Sequence, residues 1–344
     1  MKRLRNRFTT WSLILLLFVS LIGCNSNNGN DTSTNGTAEA PASAEKTVIK
    51  AAHVVTENDP YHLGLVRLKE IVEENTEGRY QIEIYPNGTL GSERDLVEGV
   101  QMGSIGMSVT ATGPVGSFVS ELSVIELPFL IRDYDHADKV LMGEIGEELS
   151  NKISVAANVK SLGFWENGFR SVVTRDKKIE SVEDIKGLKI RTMENPVHMA
   201  AWTALGADPV PMAWGDAYTG VQQGALDGLE NAISLLYSLK TSEITNYLTI
   251  TEHVYSASSV LMNQKIWDGM SDADQQIFED AFKEASAYER EVAREQSAEA
   301  EEKLVSEGLE VTHPNRDAFR ELTKNVKDTL DGDFSDIISR IESQ

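Results

Sequence analysis

Two arginines stand at the ends of segments that read as β-strands, where they could bind an anion. Arg191 ends the apolar stretch 188–191, and Arg170 closes the segment WENGFR at 165–170. A guanidinium group is planar and can hold a carboxylate through two parallel hydrogen bonds, a geometry that lysine cannot copy. The alternatives are structural ion pairs, for Arg191 with a neighbouring acid and for Arg170 with Glu166. The residue types at both positions are compatible with carboxylate binding.

Motifs of the common catalytic sites are absent from the sequence. The chain contains no HExxH, GxSxG, P-loop or CxxC motif, and no GxGxxG after a strand. Its six histidines are scattered and none pairs at metal-ligand spacing. Carboxylates are abundant, so a hydrolase with two catalytic carboxylates stays open as an alternative. We expect no catalysis, no metal and no cofactor.

The charge balance is strongly acidic. The chain has 344 residues, of which 41% are hydrophobic, with 32 Lys and Arg against 54 Asp and Glu. This composition is typical of a globular protein, and the length favours two lobes. Loss of residues 1–23 would leave 28 basic residues and a net charge of −26. We therefore expect no nucleic-acid partner, and any bound anion must be held by cations inside a cleft.

The first 45 residues read as an export signal and a tether. Residues 2–7 are basic, 11–22 are apolar, and Leu21-Ile22-Gly23-Cys24 resembles the bacterial lipobox. The apolar stretch is shorter than the ~20 residues that span a bilayer. Residues 24–45 have the composition of a flexible linker. We predict a signal peptide at 1–23 and lipidation of Cys24, the only cysteine; the alternative is an unmodified leader residue.

Strand and helix patterns alternate along the rest of the chain, which favours an α/β fold with largely parallel sheets. Strand patterns occupy 48–53, 81–85, 105–110, 160–164, 170–174, 188–191 and 249–262, the last as one strand or two. Helix patterns occupy 59–74, 93–101, a region ending near 150, 196–205 and 216–223.

One helix is predicted to be longer than a single lobe. Residues 272–307 contain no Gly or Pro and carry apolar residues at helical spacing, with Ser271 as the cap and Gly308 after the end. At 1.5 Å per residue the helix would extend roughly 54 Å. It should therefore run along both lobes, the alternative being two helices with a kink.

Five segments in series resemble the receptor subunits of tripartite ATP-independent periplasmic (TRAP) transporters, the DctP family. They are YPNGTLGSERDLVEGVQMGSIGM (85–107), ELPFLIRD (126–133), FWENGFR (164–170), DIKGLKIRTMENPV (184–197) and GADPVPMAWGDAYTGVQQGALDGLEN (206–231). The resemblance implies a two-lobed fold like that of periplasmic binding proteins, with a ligand cleft between the lobes and a long bridging helix. We assign residues 46–166 and 256–296 to lobe I, and 167–255 and 297–344 to lobe II.

The same resemblance implies a receptor on the outer face of the cytoplasmic membrane, which binds a small organic acid and delivers it to TRAP-type permease subunits. Two other classes stay open: the receptor of an ATP-driven importer, and a lipid-anchored hydrolase.

The resemblance also implies roles for particular residues. Arg191 would pair with the ligand carboxylate, and Arg170 would contact the carboxylate or a neighbouring oxygen. Asn231 would lie near the ligand, and Trp214 would pack against its carbon skeleton. A turn role for Asn231 and a core role for Trp214 are the alternatives.

Specificity should be set at the variable end of the pocket, by residues that the resemblance places there: His53, Glu93, Thr112 and Glu194. Sialic-acid receptors of the family carry an acid where this chain has Ala111, so sialate is not expected. Two acids at this end suit hydroxyl donors and would repel a second carboxylate. A sugar acid such as a uronate is therefore predicted ahead of a C4-dicarboxylate, unless Arg94 points inward.

Overall fold

The computed structural model describes residues 46–344, which form an α/β molecule; the predicted signal peptide, Cys24 and the tether lie outside the described residues. The strands are β1 Thr47–Ala52, β2 Tyr80–Tyr85, β3 Met107–Ala111, β4 Val159–Thr174, β5 Lys189–Thr192, β6 Asp208–Pro211, β7 Gly228–Ala232, β8 Tyr247–Thr249, β9 Tyr255–Asn263 and β10 Glu310–Thr312. The α-helices are α1 Pro60–Asn75, α2 Glu93–Met102, α3 Thr112–Val115, α4 Tyr134–Leu141, α5 Glu144–Ala157, α6 Pro196–Ala204, α7 Trp214–Gln222, α8 Ile233–Ser238, α9 Gln264–Asp268, α10 Asp272–Ser306, α11 Arg316–Thr323 and α12 Ser335–Glu342.

The strands follow the order β2-β1-β3-β9-β4-β7-β5-β6, with β8 paired to β4 and β10. Strands β1, β2 and β3 pair in parallel, as do β5, β6 and β7. Strand β4 joins the two groups, because residues 159–169 pair with β9 and residues 170–174 pair with β7 and β8, all antiparallel. The predicted two-lobed α/β fold is confirmed, with β4 passing from one lobe to the other.

Strand β4 is one element where the sequence pattern suggested two. Its pairing with β9 shifts register between Ser161 and Gly163 and again between Glu166 and Gly168. Both glycines have positive φ, +140° and +109°, a conformation that other residues rarely adopt. Such bulges add an unpaired residue and break the alternation of inward and outward side chains, so the pattern looked interrupted although the strand continues.

Helix α10 is continuous over 35 residues, about 52 Å at 1.5 Å per residue, which confirms the long helix and rules out the kinked alternative. Ser271 caps its start by accepting from the backbone N–H of Asp274. The helix packs against α1 and β4 and, further along, against α8 and β10. It therefore contacts elements of both lobes.

The C-terminal helix α12 lies against α4 and α5. Ile341 accepts a hydrogen bond from His136 through its carbonyl oxygen (2.8 Å), and Arg340 pairs with Glu148 at 2.8 Å. The assignment of residues 297–344 to lobe II stays a prediction, and this last helix contacts the segment assigned to lobe I. Between residues 46 and 344, none of the helices combines the length and the hydropathy needed for a membrane span.

Candidate ligand-binding cavity

Strand ends and helix starts from both lobes surround a small cavity of about 20 Å³. It lies where β1, β3, β5 and β7 end and where α1, α2 and α7 begin. Its walls are formed by Val54, Val55, Tyr61, Glu93, Ala111, Asn167, Arg170, Arg191, Met193, Trp214, Asn231 and Leu235. That volume lies far below the roughly 300–1,000 Å³ usual for the pockets of drug-sized ligands, so the walls stand almost in contact in this arrangement.

Arg191 is a buried cation without an anionic partner. Its side chain is 2% exposed, Nε donates to the carbonyl oxygen of Met212 at 2.8 Å, and Nη1 is buried without a hydrogen bond. Among the described residues, no carboxylate oxygen lies within 4.0 Å of a guanidinium nitrogen of Arg191, so none forms an ion pair with it. Burial lowers the pKa of Arg191 to about 10, so the group is still charged at neutral pH. An unpaired buried charge is costly, and an anion in the cavity would remove that cost.

Arg170, in contrast, is already paired. Its Nε and Nη2 donate to the two carboxylate oxygens of Glu230 at 2.6 and 2.8 Å, and both side chains are fully buried. Burial alone would raise the pKa of Glu230, but Arg170 and His253 hold that pKa well below its usual range. The alternative partner, Glu166, instead accepts from Arg294 of α10. Arg170 thus contributes little net charge to the cavity.

Two asparagines stand beside this ion pair. Asn231 accepts through Oδ1 from Nη1 of Arg170 (2.7 Å) and from the backbone N–H of Ala232 (2.8 Å). Asn167 donates through Nδ2 to the same oxygen at 3.4 Å, while its own Oδ1 is buried without a partner. The amide of Asn231 therefore links Arg170 to Asn167, and both amides line the cavity.

Trp214 gives the cavity an aromatic wall. It is the first residue of α7 and is 7% exposed. The guanidinium carbon of Arg191 lies 5.4 Å from the centre of its ring, within the range of a cation–π contact. The ring can hold the guanidinium in place and also offer apolar contact to a carbon skeleton.

Glu93 brings an acid to the cavity at the start of α2. Its Oε1 accepts from the backbone N–H of Ala111 at 2.8 Å. Burial raises the pKa of Glu93, although that hydrogen bond and the positive charges of Arg191 and Arg170 oppose the shift. The carboxyl group therefore keeps its proton to a higher pH than a solvated glutamate does.

Three predicted site residues do not line the cavity. His53 is fully buried with Nε2 3.0 Å from Nδ1 of His62, and burial followed by the charge of His62 lowers its pKa to about 3. Glu194 is exposed between β5 and α6. Thr112 is buried with Oγ1 bonded to the carboxylate of Glu126 and 2.8 Å from the carbonyl oxygen of Ala257.

Arg94 does not point inward: it is exposed and pairs with Glu98 at 3.2 Å. The cavity therefore gains no cation from this residue. Ligand contacts of all the predicted site residues stay a prediction.

Sequence reasoning missed several residues of the site. Glu230 and Asn167 lie in the segments DGLEN and WENGFR, whose flanking residues were selected, and Tyr61 follows the proline that opens α1. A buried carboxylate that faces a buried arginine is visible only once β4 and β7 are paired. Within residues 46–344, no group of three or more His, Cys, Asp or Glu is placed to hold a metal ion.

Comparison with known proteins settles the family. The model of bacterial extracellular solute-binding proteins, family 7 (DctP), matches residues 51–331. The chain belongs to this family. A solute-binding protein of Verminephrobacter eiseniae is 37% identical over 268 residues, 78% of this chain and 80% of its own. The C4-dicarboxylate-binding periplasmic protein DctP of Rhodobacter capsulatus is 32% identical over 297 residues, 84% of this chain and 88% of its own.

A solved structure agrees with this assignment. The TRAP periplasmic solute-binding protein of Polaromonas sp. JS666, bound to D-erythronate, matches with a TM-score of 0.84 at 34% identity, covering 87% of this chain and 99% of its own. The prediction of a TRAP receptor of the DctP family is confirmed. The protein is an extracytoplasmic receptor for small organic acids, of the kind that works with membrane permeases.

Proposed function

We propose that the receptor binds a hydroxylated monocarboxylate, a sugar acid such as an aldonate or uronate, and releases it unchanged to its permease. The carboxylate would lie on Arg191, the carbon chain against Trp214, and the hydroxyl groups against the remaining polar wall. The observation that carries this proposal is the buried Arg191, which has no carboxylate partner among residues 46–344. We propose further that acyl chains on Cys24 hold the protein at the outer face of the membrane.

The charges of the wall favour one carboxylate over two. Arg170 is neutralised by Glu230, so Arg191 is the one cavity arginine of the described chain that remains uncompensated. A second carboxylate would meet no further unpaired arginine there and would approach Glu93. D-Erythronate in the Polaromonas relative supports a hydroxylated monocarboxylate, whereas the Rhodobacter relative keeps a C4-dicarboxylate as the competing ligand.

A ligand panel on the wild type and on Arg191→Met tests the proposal. We expect D-erythronate or D-glucuronate to raise the melting temperature more than succinate or malate does. At a ligand concentration near 100 times Kd the gain should be about 2.7 kcal/mol. In Arg191→Met the bound carboxylate loses its paired cation, which costs roughly 3–5 kcal/mol, or more than two decades of affinity by calorimetry.

The matched control is Arg94→Met, which removes an exposed arginine paired with Glu98 and should leave affinity unchanged. Near-normal affinity of Arg191→Met would refute the role of Arg191. Stabilisation by succinate alone would refute the sugar-acid proposal and favour the dicarboxylate.

A further inference from the structure

The cavity wall contains polar atoms that are buried and lack hydrogen-bond partners. They are Nη1 of Arg191, Oδ1 of Asn167 and the hydroxyl of Tyr61, on side chains that are 2%, 3% and 2% exposed. Each such group destabilises the fold when left unpaired, and native proteins rarely tolerate several together. One ligand could satisfy all three, because all three residues line the same cavity.

The position of Asn167 follows from the bulge in β4. The register of β4 against β9 shifts between Glu166 and Gly168, and Asn167 lies between these two residues. Before the shift, Trp165 donates to Ser286 of α10 at 2.8 Å, and after it Arg170 enters the ion pair with Glu230. The bulge thus places one additional side chain in the cavity wall.

The hydrogen-bond network determines which end of the Asn167 amide is free. Oδ1 of Asn231 already accepts from Arg170 and from the N–H of Ala232, so this atom must be an oxygen. Asn167 must then turn its Nδ2 towards Asn231 and keep Oδ1 unpaired. A carboxylate offers only acceptors and cannot bond this oxygen, whereas a hydroxyl group can donate to it.

Tyr61 adds a second buried oxygen without a hydrogen-bond partner, from α1 on the opposite lobe. Its hydroxyl is close to Ser258 of β9, whose Oγ is also buried without a partner of normal geometry. Even a weak bond between these two hydroxyls leaves acceptor capacity on the phenol oxygen. The wall therefore carries one oxygen that needs a donor and one phenol that can accept.

We propose that Asn167 is a specificity-determining residue, whose Oδ1 accepts a hydrogen bond from a hydroxyl group of the acid held by Arg191, with Tyr61 as a second hydroxyl contact. The inference rests on the proposed function and deepens it. A ligand without hydroxyl groups leaves these oxygens unpaired and is rejected for that reason.

Two acids with the same four-carbon chain test this directly: D-erythronate carries hydroxyl groups and butyrate carries none. Calorimetry should give the wild type a clear preference for D-erythronate. Asn167→Leu should weaken D-erythronate binding about tenfold or more and change butyrate binding far less. The ratio of the butyrate Kd to the D-erythronate Kd should therefore fall. Tyr61→Phe should lower the same ratio.

Asn151→Leu, at an exposed asparagine of α5, is the matched control and should keep the wild-type ratio. Asn167→Ala is measured beside Asn167→Leu, because it adds no bulk and avoids overpacking. An equal loss of affinity for both acids would leave the ratio of the two Kd values unchanged, which would indicate a merely structural role and overturn the inference. A wild type that does not prefer D-erythronate over butyrate would overturn it as well. If Arg191→Met abolishes binding while both Asn167 variants keep the ratio, the proposed function stands and this inference fails.

Discussion

Among the ionisable residues of the cavity, Glu93 is the one whose negative charge a bound carboxylate would repel most directly. Burial already raises its pKa, against the positive charges of Arg191 and Arg170, while Glu126 adds to the rise. A ligand carboxylate on Arg191 would weaken that positive field and bring a like charge near, and both effects raise the pKa of Glu93 further. Binding should therefore favour the protonated form of this side chain.

We predict that binding of a sugar acid takes up protons through Glu93. Affinity should fall as pH rises through the pKa of Glu93, because the acid then binds beside a carboxylate. Glu93→Gln cannot titrate and should show a flatter pH dependence than the wild type above about pH 5, where free sugar acids are already ionised. Calorimetry in buffers of different ionisation enthalpy measures the proton uptake.

Glu98→Gln, at a solvent-facing glutamate of the same helix, is the control for Glu93 and should behave as the wild type. The same proton uptake in Glu93→Gln and in the wild type would exclude Glu93 as its source.

The sequence could identify single residues of the site only where the chemistry is local. Arg191 and Trp214 stand in recognisable segments, which was enough to select them, and both line the cavity. The partner of Arg170 is Glu230, 60 residues away, and no local pattern connects the two. His53 was predicted to end a strand but lies one residue beyond β1. Its pairing with His62 depends on how α1 packs, which the sequence does not reveal.

At the scale of elements, alternation and helix caps predicted most strands and helices. Helix α10 was foreseen because it has neither Gly nor Pro and a clear cap. Strand β4 was read as two strands because Gly163 and Gly168 produce bulges that interrupt the alternation. The segment 227–230 is short and polar in sequence, yet it overlaps the central, fully buried strand β7. Its polarity is tolerated because Glu230 is paired with Arg170.

The N-cap of α1 should make stability depend on pH. Asp59 accepts through Oδ1 from the backbone N–H of Tyr61 at 3.0 Å, while Oδ2 is buried without a partner. Burial raises the pKa of Asp59 to about 7, against the opposing effect of that hydrogen bond. Because the folded pKa exceeds the unfolded one, the stability due to protonation is complete below about pH 4. It is lost as pH rises through 7.

We predict that Asp59→Asn removes this loss of folding stability at high pH. Asparagine caps a helix as well as aspartate does but cannot ionise. The variant should match the wild type near pH 4 and exceed it above pH 7 by up to about 4 kcal/mol, measured by urea unfolding. Asp133→Asn, at the exposed cap of α4, should show no such gain. A gain of equal size at both pH values would contradict the titration of Asp59.

At the scale of the whole molecule, contacts across the cleft indicate what closure involves. Asn195 donates through Nδ2 to the carbonyl oxygen of Gly113 at 3.0 Å, and His198 lies 2.7 Å from the carboxylate of Glu126. Both contacts join the start of α6 to segments on the other side of the cavity. A ligand can favour this closed arrangement only through its higher affinity for it. The unpaired groups of the cavity, which the closed form buries, would supply that difference.

The charge of the whole molecule bears on its proposed attachment to the membrane. With residues 1–23 removed the chain carries 28 basic residues against 54 acidic ones, so an anionic lipid surface repels it. Attachment to such a surface would need an anchor like the one proposed at Cys24, and two or more acyl chains suffice for stable binding where one is marginal. We predict that Cys24→Ser moves the protein from the membrane fraction to the soluble fraction, as followed by fractionation and immunoblotting. Ser26→Ala, which keeps Cys24, should remain in the membrane fraction; a Cys24→Ser protein that resists alkaline washing would refute the lipid anchor.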